Sequence, residues 1–105
     1  MPIIDTRKLP LRDKLPGWRG KIFHSDNMTF AHWDFDAGSS IHRHDHDQEE
    51  VWHIVEGELE VTIDGKTHRA GPGMVAIIPP NTAHSVVALT NGKAIVADFP
   101  LRENF

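Results

Sequence analysis

The sequence predicts an all-β fold, a sandwich or barrel built from seven or more short strands. Three observations carry this. Apolar residues recur at every second position over short runs, glycine-bearing turns separate the runs, and no stretch of ten or more residues carries a helical stripe.

The elements follow in chain order. Residues 1–18 hold Pro2, Pro10 and Pro16, the last followed by Gly17. They read as an extended leader with room for a short strand, because proline disfavours helix interiors. Residues 19–105 read as one domain. In "MTFAHWDFD", Ala31, Trp33 and Phe35 share one face while Met28, Phe30, His32 and Asp34 share the other. "ELEVTID" alternates Leu59, Val61 and Ile63 with Glu58, Glu60, Thr62 and Asp64, the signature of a strand with one buried face. Asp64-Gly65 then leads into "KTHRA", and Asn91-Gly92 separates "SVVALT" from "KAIVADF". Both dipeptides favour the positive φ angles of a two-residue hairpin turn. "EGE" at 56–58 and "AGPG" at 70–73 supply further turns.

Composition narrows the function classes. A chain of 105 residues, 39% hydrophobic and 25% charged, suits a single globular domain. A formal charge of −4 with scattered basic residues argues against a nucleic-acid partner. The absence of cysteine excludes disulfides, thiolate metal sites and a cysteine nucleophile, and fits a cytoplasmic protein. "MPIIDTRKLP" has no apolar core of a signal peptide, and the longest apolar run, "MVAII" at 74–78, falls far short of the ~20 residues needed to span a bilayer. No membrane partner is expected.

The compositional anomaly is "HRHDHDQEE", residues 42–50. His42, His44 and His46 share parity, so in a regular strand all three project to one face. Two histidines at i and i+2 with a nearby carboxylate make three ligands that a divalent first-row metal accepts. Glu50 has the same parity, and His84 in "PPNTAHSVVAL", at the expected start of a strand, is the candidate for a fourth donor.

The spacing of the flanking glycines resembles the cupin superfamily, in its small single-domain type. One motif of that family runs G, five residues, H-x-H, three or four residues, E, six residues, G. Gly38, His44, His46, Glu50 and Gly57 match every element. A second motif runs G, five residues, P-x-G, two residues, H, three residues, N. Gly73, Pro79 and His84 match it, while Asn81 stands for the second glycine and Ala88 for the final asparagine. Asn also visits positive φ, so the first departure is compatible with the turn. The same glycines reject the alternative register of His42, His44 and Glu49, which would need a glycine where Glu56 stands.

The resemblance covers roughly residues 30–99. It implies a double-stranded β-helix, the jelly-roll barrel, and one divalent transition metal held by His44, His46, Glu50 and His84. The ion would be Fe, Mn, Ni, Zn or Co. His42 is a candidate catalytic base, occasional ligand or rim residue. Trp52, Ile54, Val86 and Ala88, with one face of the strand holding Trp33, would wall an apolar pocket. Arg19 and Arg43 could meet a substrate carboxylate, though their spacing fits plain solvation equally well. Family members of this kind include dioxygenases, isomerases and lyases acting on small oxygenated organic molecules, and also non-catalytic ligand-sensing modules. The tail "FPLRENF" resembles that of small cupins acting on unsaturated uronates in pectin breakdown. Such proteins commonly pair through their sheets, so a homodimer with a small-molecule ligand or substrate is expected.

Overall fold

A computed structural model of the chain describes residues 3–103 and residue 105. Met1, Pro2 of the leader and Asn104 of the tail lie outside the described residues. A 3-10 turn at Thr6–Lys8 precedes the strands β1 (Arg12–Leu15), β2 (Trp18–His24), β3 (Thr29–Phe35), β4 (Ser40–His44) and β5 (Glu49–Glu56). Then follow β6 (Leu59–Ile63), β7 (Lys66–Ala70), β8 (Val75–Ile78), β9 (His84–Ala88) and β10 (Gly92–Phe99). They form two antiparallel sheets, ordered β1-β2-β3-β10-β5-β8 and β4-β9-β6-β7. From β3 onward the chain crosses between sheets at every connection except the hairpin of β6 and β7, which is the winding of a jelly roll. No helix among the described residues is long and apolar enough to cross a membrane.

The period-two pattern sets which side chains meet between the sheets. In β3, Thr29, Ala31, Trp33 and Phe35 are buried and the intervening residues are half-exposed. Glu50, Trp52 and Ile54 of β5, Leu59 and Val61 of β6, His84, Val86 and Ala88 of β9, and Ala94, Val96 and Asp98 of β10 are likewise buried. Each large apolar side chain removed from water contributes about 1.5–3 kcal/mol. Trp18, at the start of β2, anchors the aromatic centre. Its ring meets Trp33 edge-on at 5.9 Å, Trp52 edge-on at 5.9 Å and Phe35 at 5.2 Å.

Turn chemistry held at one dipeptide and failed at the other. Asp64 and Gly65 adopt φ of 50° and 77°, and Ile63 pairs directly with Lys66, the expected two-residue hairpin. Asn91-Gly92 is not a hairpin turn, because the strands it joins, β9 and β10, lie in opposite sheets. The Asn91 side chain instead accepts a hydrogen bond from the Ala37 amide at 2.8 Å. Gly92 is needed for space, since a Cβ there would collide with the Glu56 carbonyl oxygen and the Phe35 ring. Close packing can demand glycine as strongly as positive φ does.

Candidate metal centre

Four strands and two loops bring the polar end of the interior together. His44 ends β4, His84 opens β9 opposite it, and Glu50 lies near the start of β5. The strand parity expected for the first histidines is broken. Ile41 pairs with Val86 but His44 pairs with His84, so a β-bulge inserts one extra residue at 42–43. Ile41 and His44, three apart, therefore both line the interior cavity, while the His42 side chain is exposed at its mouth. His46 lies beyond the strand, in the loop before β5. Its carbonyl accepts the Asn81 amide at 2.8 Å, and Asn81 adopts φ 56°. The left-handed turn that asparagine tolerates thus joins the two histidine segments.

The imidazoles are held in one tautomer. His44 Nδ1 donates to the His42 carbonyl at 2.8 Å, His46 Nδ1 to the Gln48 carbonyl at 3.1 Å, and His84 Nδ1 to the Thr82 carbonyl at 2.8 Å. A carbonyl can only accept, so each Nδ1 carries the hydrogen, which leaves Nε2 as the nitrogen able to offer a lone pair. The three rings offer nitrogens within 4.8 Å of one another. Glu50 stands against two of the three rings, with Oε1 at 3.3 Å from His46 Nε2 and Oε2 at 3.3 Å from His84 Nε2, and it groups with His46 and Asp98 in the same way. At both buried Nε2 atoms the alignment needed for a hydrogen bond is missing. Lone pairs and a carboxylate facing each other repel unless a cation or a proton sits among them. Three imidazoles and one carboxylate suit a divalent first-row transition metal.

Charge and burial act on each group differently. Burial would raise the Glu50 carboxyl, but its polar contacts with His46, His84, Asp98 and Trp52 outweigh this and hold it well below the usual carboxylate range. Burial lowers the His44 imidazole. It also pulls His84 down, yet the neighbouring Glu50 carboxylate wins and raises it above the ordinary histidine range. Asp98, directly across the ladder from Glu50, is pushed up to about 8 by burial and by the Glu50 charge.

Three partners of this cluster were not foreseen. Trp52 donates its indole N–H to Glu50 Oε2 at 2.7 Å. Arg102 Nη1 lies 3.4 Å from both Glu50 Oε1 and Asp98 Oδ2. Asp98 shares parity with Ala94 and Val96 in "AIVADF", so a carboxylate on an apolar face was the signal that could have revealed it. Arg102 follows the last strand and offered no such signal. Arg19 forms a two-pronged pair with Asp36 at 2.9 Å and Arg43 is exposed; neither lines the cavity.

The cavity beside the cluster holds about 420 Å³. Leu15, Trp33, Ile41, Trp52, Val96 and Phe105 form its apolar wall, and Lys14 and Arg102 add positive charge. Phe105 closes one side, its ring 5.9 Å from Trp33 and 4.7 Å from the Arg102 guanidinium, and its carbonyl accepts from Lys14 Nζ at 2.7 Å.

The sequence profile of the cupin domain matches residues 31–100, two-thirds of the chain, which spans both histidine segments. The chain belongs to the cupin family. This cupin is similar to an RmlC-like cupin from Shewanella frigidimarina, at 26% identity and a TM-score of 0.91, over 98% of this chain and 94% of that one. It is also similar to KdgF from Halomonas sp., at 27% identity and a TM-score of 0.88, over 95% and 94% of the two chains. An uncharacterised protein of Streptomyces coelicolor is 31% identical over 58 residues, and the match spans about half of that relative, 55% of each chain. The cupin fold expected from the motifs is the fold observed.

Proposed function

We propose that this cupin is a metalloenzyme acting on a small oxygenated organic molecule, with one divalent transition metal held by His44, His46, His84 and Glu50. The observation that carries the reading is the set of three Nδ1–H bonds to backbone carbonyls, which leaves three Nε2 lone pairs converging beside a buried carboxylate. An ion bound there supplies a Lewis acid for a substrate oxygen.

The chain's own residues do the rest. Trp33, Ile41, Val96 and Phe105 pack the carbon skeleton of the substrate and exclude water. Lys14 and Arg102 offer N–H donors to a carboxylate or hydroxyl of the substrate. His42, exposed at the cavity mouth, is placed to carry a proton between solvent and substrate. The reaction belongs to the dioxygenase, isomerase or lyase type, with Lys14 and Arg102 facing the cavity beside the acidic Asp45 and Glu50.

The chain acts as a homodimer in this reading. Val55, Val75, Ile77, Ile95 and Phe99 are exposed on the outer face of the six-stranded sheet, and a second copy would cover them. Sedimentation of a monomer at micromolar concentration would refute the pairing.

Elemental analysis of untagged protein tests the centre. The expected result is close to one equivalent of Fe, Mn, Ni, Zn or Co, lost in His84→Ala. Protein that stays metal-free after supplementation with all five ions sinks the reading. A panel of keto acids and unsaturated uronates, with oxygen consumption followed in parallel, then separates catalysis from sensing: tight binding without turnover assigns a ligand-sensing module.

A further inference from the structure

The three buried indoles of this chain share one aromatic cluster but not one environment. Trp18 is fully buried and its Nε1–H has no partner among the described residues. Trp52, only 3% exposed and 5.9 Å from Trp18, makes a 2.7 Å hydrogen bond to Glu50 Oε2. The two residues sit at i and i+2 of β5 and point to the same face. The Glu50 carboxylate could otherwise rotate about its terminal bond, since sp3–sp2 torsions are broad. Of its other close neighbours, His46 and His84 lie at 3.3 Å without hydrogen-bond alignment, Arg102 stands at a long 3.4 Å, and Asp98 faces it across the ladder. The indole is the short, directed contact, and its own ring is clamped edge-on against Trp18.

We infer that Trp52 is a positioning residue of the metal centre: its indole N–H holds Glu50 Oε2 and so fixes the orientation in which the carboxylate faces the imidazoles. The inference rests on the metal reading above. It also explains why a tryptophan, whose bulk the cavity wall could obtain from phenylalanine, stands at this position. Removing a partner that orients a ligand typically lowers metal affinity about 10- to 100-fold.

The test compares Trp52→Phe with Trp18→Phe in the full chain, using Co(II) alone as the probe. Both variants remove an indole N–H from the same aromatic cluster. The expected result is a 10- to 100-fold weaker Co(II) dissociation constant and an altered Co(II) visible spectrum in Trp52→Phe only. Equal affinity and an unchanged spectrum in Trp52→Phe overturn the inference while leaving the metal reading intact. Wild-type protein that takes up no Co(II) overturns both. Should Trp52→Phe fail to fold, the indole N–H resonances of 15N-labelled wild-type protein decide. One resonance should move both on addition of one equivalent of Zn(II) and in Glu50→Gln; if the same resonance does not respond to both, Trp52 has no such role.

Discussion

The two ends of the space between the sheets are built by the same strand faces, yet they differ in kind. On β5 the buried face begins with Glu50 and ends with Ile54; on β9 it runs from His84 to Ala88, and on β10 from Asp98 back to Ala94. One end is therefore sealed by apolar packing around Trp18, Phe35, Ile54 and Leu59. The other collects imidazoles, two carboxyl groups and a guanidinium whose burial costs free energy unless they are paired. The difference teaches where stability and chemistry reside. The apolar end holds the barrel shut, and the polar end gathers the groups that carry the chemistry.

That division predicts opposite outcomes for substitutions along one strand face. The largest effect is expected at the polar end, where His84→Ala should reduce metal from about one equivalent to none while the protein still unfolds cooperatively. At the apolar end, Ile54→Ala should cost about 2–5 kcal/mol in denaturant unfolding, as buried aliphatic truncations do, and retain metal at full stoichiometry. Loss of metal in Ile54→Ala together with its retention in His84→Ala would erase the distinction.

A smaller effect sharpens the electrostatic side. Asp98 is pushed up to about 8 in the folded protein, against roughly 3.9 when unfolded. Its neutral form is thus favoured by folding. The stability it contributes is whole below about pH 4 and is lost as pH rises toward 8. Metal-free protein should accordingly weaken between pH 5 and pH 8 in urea titrations, and Asp98→Asn should flatten that decline. The smallest effect is expected where the motif departs from glycine. Asn81 sits at φ 56°, so Asn81→Gly should leave the melting temperature nearly unchanged, whereas Asn81→Val should cost about 1–2 kcal/mol.

Much of the site was legible because it is local. The interval from Gly38 through His44, His46 and Glu50 to Gly57 is a matter of consecutive residues, and Gly38 and Gly57 adopt φ of 83° and 79°. The alternation in β3 and β6 named the buried face correctly, and Asp64-Gly65 named its hairpin. Parity failed at His42 and His44, because a bulge is set by the partner strand. Nothing in "SIHRH" itself reveals that Ile41 and His44 must meet Val86 and His84. Turn chemistry failed at Asn91-Gly92 for a similar reason: the glycine answers to Phe35 and Glu56, both distant in the chain.

The sequence by itself thus determined the all-β class and the turns at Asp64-Gly65 and Asn81, since each depends on backbone preferences of adjacent residues. Only the tertiary structure decided that His42 stays exposed at the cavity mouth, that Asp98 faces Glu50, that Arg102 rather than Arg19 or Arg43 reaches the cavity, and that one tryptophan of three binds the carboxylate. Those facts are pairings between strands remote in the chain, and residues at such separations meet only when the whole barrel closes.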